Sequence, residues 1–281
     1  MVNTVTYQGE LWQAFEHLPH PDLLSCLQAK NQLVILQHGL PPYQVVLGAP
    51  HHVPSGVWRI CQERLDKHGQ VNDRCGDDNV ASYALVAFSR LQALDIPSKL
   101  VIMSRSTTHD PNKVLHSPYC QEIFREESEL LFECHASGGQ RHFELELSSG
   151  SNTITQTVRF GRTLSSNLAH QFLLGVQAVP AQKDALIFKS DGQTMTGQLQ
   201  LPAIRTTSLQ EAGRRGVPAL HLEAKPKFRI VRGVPDTVSP TGQVLGQAVA
   251  QAIAQLQGQV RRPTLIGRTK SLHKNFNFCV K

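Results

Sequence analysis

Three imidazoles and four carboxylates fall where a metal ion or a water molecule could be held. His51 and His52 follow the apolar run 44–47 and Pro50, and Asp77 and Asp78 follow Gly76. Glu133 and His135 close the run 130–135, and Glu223 closes the run 218–222. Arg105 follows a further apolar run, 100–103. A catalytic zinc site typically takes three His or carboxylate side chains and leaves a fourth position for water. The metal brings that water toward a pKa of about 7 and polarises a carbonyl oxygen. A carboxylate such as Glu223 can take a proton from the water and pass it to a leaving amine. A cation such as Arg105 can stabilise the developing oxyanion. The chain thus holds the parts of a metal-dependent amide hydrolase. It also carries 13 histidines, so clustering by chance is expected. The others, His221 among them, show no acidic partner pattern and read as ordinary polar residues.

These residues need strands to position them. Short apolar runs bounded by turn residues at 33–36, 44–47, 100–103, 130–135 and 218–222 predict strands, as do 142–147 and 185–188. The Ala/Leu/Val-rich stretch 81–94 predicts a buried helix. Leu164, Leu168 and Phe172 share one helical face, as do Leu245, Val249, Ile253 and Leu256. Strands alternating with helices predict an α/β fold, a three-layer sandwich with a mixed, largely parallel central sheet flanked by helices. Ligands of such sheets bind beyond the carboxyl ends of the strands. His51 or His52, Glu133-Cys134-His135 and Glu223 would meet there. Adjacent residues on a strand point to opposite faces. One of His51 and His52, and one of Asp77 and Asp78, should therefore reach the metal, and Cys134 should point away from His135.

Composition narrows the class. The chain has 281 residues, 40% hydrophobic and 18% charged, ordinary values for a globular protein. With no Gly/Ser/Pro-rich divider, we expect a single domain over 1–260 and a basic tail over 261–281. No apolar run approaches the roughly 18 residues that span a bilayer. Residues 1–10 are polar and lack a basic start followed by an apolar stretch, so the expected compartment is the cytoplasm. The six cysteines form no Cys-x-x-Cys pair and read mostly as small buried apolar groups. A net charge of +6 suits a small anionic substrate, whose carboxylate Arg159 and Arg162 could bind bidentately. With 6% aromatic residues and no aromatic-rich basic stretch for stacking bases, nucleic acid is not expected as a partner.

The motifs also follow a recognisable order. Ala49-Pro50-His51 comes first, then Gly76-Asp77-Asp78-Asn79, where an Asp starts a helix. Next come an apolar strand ending in Arg105, the segment Asp110-Pro111-Asn112-Lys113, and Glu133-Cys134-His135. A late apolar strand ends at Glu223. Over roughly residues 45–257 this order resembles the N-formylglutamate amidohydrolase family, within the wider zinc carboxypeptidase-like folds. The resemblance implies one divalent metal per chain, Zn2+, held by His51, Asp78 and His135, with Glu223 as general base. It implies Arg105 facing the substrate or oxyanion, Asp110 and Asn112 holding their loop, and Asn112 beside the substrate. The chain departs from the family at His52-Val53-Pro54-Ser55-Gly56, where a small residue and Gly usually follow the first His. It departs again at Asn112-Lys113, where the family has Asn-Arg. The implied activity is hydrolysis of an amide or peptide-like bond in a small carboxylate-bearing substrate. The alternative is a degenerate member that binds a small molecule or a metal without turnover.

Overall fold

The computed structural model describes residues 1–13, 17–55, 62–65, 71–74, 76–106, 110–138, 145–148, 188–189, 203, 206–231 and 236–260. Its centre is a mixed sheet of β1 (Asn3–Thr6), β2 (Gln32–His38), β3 (Val45–Val53), β6 (Asp77–Asp78), β7 (Ser98–Ser104), β8 (Leu131–Ala136), β9 (Leu145–Ser148), β10 (Phe188–Lys189) and β11 (Ala219–Ala224). Strand order is β1-β2-β7-β3-β8-β11-β9-β10, with β6 laid onto β3. The pairs β7–β3, β3–β8 and β8–β11 are parallel, whereas β2–β7 and β11–β9 are antiparallel. A separate antiparallel hairpin joins β4 (Gln62–Leu65) and β5 (Val71–Arg74).

The two faces of the sheet differ. One is covered by α1 (Pro21–Gln28), α2 (Ala81–Ala93) and α5 (Pro240–Val260). There Leu47, Ala49, Phe132, Cys134, Leu220 and Leu222 join Phe88, Leu245 and Ile253 in one apolar core. The other is covered by α3 (Pro118–Ile123) and α4 (Thr207–Arg214). Val46, Leu131 and Ala219 pack there against Tyr119, Ile123 and Leu209. Alternation along β8 and β11 then places Glu133, His135, His221 and Glu223 on the α3/α4 face. The apolar core of that face ends where these polar residues begin.

The central strands coincide with the apolar runs read from the sequence, because a strand buried on both faces needs a continuous apolar stretch. Asp77 and Asp78 differ from expectation. They do not open a helix but form the short strand β6, in register with His52 and Val53, and α2 begins only at Ala81. Gly76 makes this approach possible, since a Cβ there would lie 2.3 Å from Val53 Cγ1. The edge strand β1, which is polar, and the short helix α1 were not predicted from the sequence. The proposed helix at Leu164, Leu168 and Phe172 and the tail 261–281 lie outside the described residues. Among the described residues no helix is long and apolar enough to cross a membrane.

Candidate metal centre

Strand β3 chooses between His51 and His52. Ala49 pairs with Ile102 and His52 with Ser104, so three steps on β3 face two on β7. This extra residue is a bulge, and it reverses the alternation beyond it. Without it His51 would continue the Leu47/Ala49 row into the α2 core. With it His51 turns to the opposite face, and His52 lines a small cavity with Leu24, Leu27 and Leu85. His52 is 2% exposed, and its Nδ1 accepts the Ala81 N–H at 3.3 Å, capping the start of α2. Burial holds its pKa down to about 3, so the ring is neutral and its accepting nitrogen is engaged.

The same logic separates the two aspartates. Asp77 Oδ2 lies 3.5 Å from His51 Nδ1 and 3.1 Å from His135 Nδ1. His51, Asp77 and His135 each bring one donor atom within 4.8 Å of the others. Asp78, the ligand implied by the family resemblance, is not in this group, because the neighbouring residue of a strand faces the other way. Its backbone carbonyl instead accepts a hydrogen bond from Arg229 Nη1.

Each imidazole of the group has a carboxylate behind it. His51 Nε2 lies 2.7 Å from Asp110 Oδ1, and Asp110 Oδ2 is in turn 3.0 Å from Lys113 Nζ. His135 Nε2 lies 3.5 Å from Glu133 Oε2, with Asn112 Nδ2 3.4 Å away. Carboxylates in this position orient metal-ligating histidines and raise their basicity. When Nε2–H is donated to Asp110, a neutral His51 presents its Nδ1 lone pair toward the Asp77 oxygen. Lone pairs and a carboxylate facing one another need a cation between them, either protons or a metal ion. The donor set therefore fits a divalent metal.

The electrostatics follow this geometry. Burial would lower the His51 pKa, but Asp110 and Asp77 on its two nitrogens outweigh it and raise it to about 9. Burial would raise Asp77, yet hydrogen bonds from His135 and His51 hold it well below the usual carboxylate range. Glu133, fully buried, is likewise held low by His135 and His221. Tyr119 donates to Glu133 Oε1 at 3.0 Å, and burial pushes its phenol far up, so the donor stays protonated. Gly48 leaves room for that hydroxyl, because a Cβ there would sit 2.0 Å from Tyr119 Oη.

The chain is similar to N-formylglutamate amidohydrolase, poly-gamma-glutamate hydrolase and metallo-carboxypeptidase structures. The metallo-carboxypeptidase from Burkholderia cenocepacia shares 13% identity at a TM-score of 0.48, covering 80% of this chain and 61% of its own. This chain thus spans less than two thirds of that carboxypeptidase. The N-formylglutamate amidohydrolase from Ralstonia eutropha JMP134 shares 10% at 0.47, covering 82% and 98%. The bacteriophage poly-gamma-glutamate hydrolase shares 9% at 0.42, covering 81% and 90%. No family model matches the sequence, and no curated protein sequence does. At these scores the site must be read from its own side chains.

The remaining candidates divide. Glu223 pairs in register with His135 and so faces the same side of the sheet. Its Oε1 lies 3.1 Å from His221 Nε2. Asn112 is 1% exposed and sits under the group, donating to Glu133 Oε2 at 3.3 Å. Arg105 is not gathered into the group: its Nη1 donates to the Gln28 carbonyl at 2.8 Å, at the end of α1. Arg159 and Arg162 lie outside the described residues. Cys134 faces the apolar core, and burial raises its thiol pKa far above the normal range, as expected for an inert side chain.

Two residues escaped the sequence reading. His221 is no ordinary polar residue; it stacks on His135 with ring centroids 3.9 Å apart and reaches toward both Glu133 and Glu223. Burial would lower its pKa, but those two carboxylates raise it to about 9. The available signal was its i, i+2 spacing to Glu223, matching Glu133 to His135 on the neighbouring strand. Arg229, 3% exposed, donates from Nε to Ala224 O at 3.1 Å and from Nη1 to Asp78 O, tying β11 to β6. No local pattern marks it, because its partners are backbone carbonyls on distant segments.

Proposed function

We propose that this protein is a metal-dependent hydrolase that cleaves an amide or peptide-like bond in a small carboxylate-bearing substrate. The observation that carries the reading is the convergence of His51 Nδ1 and His135 Nδ1 on one Asp77 oxygen, with Asp110 and Glu133 behind the two rings. His51, Asp77 and His135 would hold the metal, and a His/carboxylate set of this kind suits zinc. When bound, such a metal supplies Lewis-acid polarisation of a carbonyl and a more acidic water. The chain's own part is to orient the two imidazoles and to move a proton. Glu223 is the proposed proton acceptor: its Oε2 is buried and has no hydrogen-bond partner among the described residues. From that atom the proton passes to the leaving amine. The proposed setting is the cytoplasm, where thiols such as Cys26, Cys120 and Cys134 stay reduced.

The test combines metal analysis with one substitution. Protein purified without chelator and supplied with zinc should hold about one equivalent, and less than roughly 0.2 would refute the metal centre. Glu223→Gln keeps size and removes the proton acceptor. It should bind zinc like the parent and lose on the order of 100- to 10,000-fold in turnover, with KM changing far less. If the variant keeps full turnover per folded molecule, Glu223 is not the base. Zinc binding without hydrolysis across a panel of N-acyl amino acids would favour a binding protein instead.

A further inference from the structure

We propose that His221 is a positioning residue that fixes the Glu223 carboxylate on the metal-facing side of the sheet; this rests on the reading of Glu223 as the proton acceptor. Glu223 Oε1 lies 3.1 Å from His221 Nε2, while Oε2 has no hydrogen-bond partner among the described residues. The carboxylate would otherwise be free to rotate about its terminal torsions, which are broad for Glu. His221 is itself immobilised. Its ring stacks on His135 at 3.9 Å and 22°, and its Nδ1 lies 3.9 Å from Glu133 Oε2, ion-pair range but too long for a hydrogen bond. A base held at one oxygen by a packed ring presents the other oxygen in a single direction. That is the geometric condition for proton transfer from a water on the adjacent strand's His135 side.

A different role competes for the same residue. Glu133, His135 and His221 also bring donor atoms within 4.8 Å of one another, which could hold a second metal. Ring geometry argues against it. An imidazole lone pair lies in the ring plane, and two rings stacked 22° from parallel direct their lone pairs side by side rather than at one ion. Asn112 Nδ2 already occupies the space between Glu133 and His135.

The test uses His221→Phe, which keeps a flat ring on His135 and removes the donor to Glu223, and His221→Gln, which restores an N–H donor and serves if the Phe variant fails to fold. Crystal structures of the zinc-loaded proteins, zinc content, and kcat and KM on N-acyl amino acids are measured together. In His221→Phe, Glu223 should leave its parental position, zinc should stay near one equivalent, and kcat should fall on the order of 10- to 100-fold with KM little changed. His221→Gln should recover much of the loss. A parent inactive on every substrate, with Glu223 displaced and zinc retained in the Phe variant, supports the positioning role and refutes the hydrolase reading. Glu223 unmoved, or kcat unchanged in an active parent, overturns the inference. Loss of zinc from the Phe variant, or a second zinc ion on Glu133, His135 and His221, overturns it too by making His221 a ligand.

Discussion

Gly48→Ala offers a test in which local and tertiary rules predict opposite signs. Gly48 lies inside β3, and replacing a mid-strand glycine by alanine ordinarily stabilises by about 0.5–1 kcal/mol. Here the new Cβ would lie 2.0 Å from Tyr119 Oη, 3.1 Å from its Cζ and 3.5 Å from Glu133 Cγ. The hydroxyl cannot stay, so the Tyr119–Glu133 hydrogen bond breaks. Losing a bond to a charged acceptor costs about 1.5–3 kcal/mol. Overpacking of the displaced ring adds about 1–3 kcal/mol. Gly48→Ala should therefore destabilise by about 2–5 kcal/mol once the local gain is subtracted. Tyr119→Phe alone loses the same bond, at about 1.5–3 kcal/mol. The double variant should be far better than the sum, because removing the hydroxyl removes the 2.0 Å clash and leaves only the tight 3.1 Å approach to Cζ. A coupling of about 1–3 kcal/mol is expected, outside the roughly 0.5 kcal/mol error of additivity. Urea unfolding in chelator measures this without a contribution from bound metal. Two optical probes should give coincident curves, as two-state unfolding requires. Stabilisation by Gly48→Ala, or costs that add within about 0.5 kcal/mol, would refute the packing described here.

Other outcomes follow from the same geometry. His135→Ala should lose zinc while Cys134→Ala keeps it, because neighbours on β8 face opposite sides; full metal content in both would break the assignment. Asp77→Asn should weaken zinc binding by at least about 100-fold and Asp78→Asn by less than about threefold, as read by chelator competition, with the reverse order restoring Asp78 as the ligand. Away from the site, Lys99 is fully buried between Glu122 Oε1 at 2.6 Å and Glu126 Oε2 at 2.5 Å. Lys99→Met removes the cation and leaves its acidic partners behind, so it should destabilise by about 3–5 kcal/mol, and a change under about 1 kcal/mol would show the network to be dispensable.

The sequence by itself determined the layered α/β plan and the strands that carry the chemistry. A strand buried on both faces has to be apolar throughout, so β3, β7, β8 and β11 were visible as runs, and Glu133, His135 and Glu223 stood out at their polar ends. Strand alternation was legible too, and it set Cys134 apart from His135. Edge strand β1 and helix α1 were not legible, because one is polar and the other short.

Which member of each adjacent pair enters the site was decided by tertiary structure. A bulge in β3 reverses the parity of every residue after it, and nothing in the residues 49–52 announces where the extra one is accommodated. That shift, which exists only against the register of β7, turns His51 inward and sends His52 to cap α2. Asp77 prevails over Asp78 because β6 forms by pairing with β3, a contact between segments some 25 residues apart. The positions that Arg105 and Arg229 take up depend on the fold for a similar reason. Both guanidinium groups seek backbone carbonyls, and only the fold determines which carbonyls lie within reach. His221 needed the parallel register of β8 and β11, which sets His221 beside Glu133 and Glu223 beside His135. Spacing along one chain records which residues share a face; the distances that make a site arise only when separate strands are brought into register.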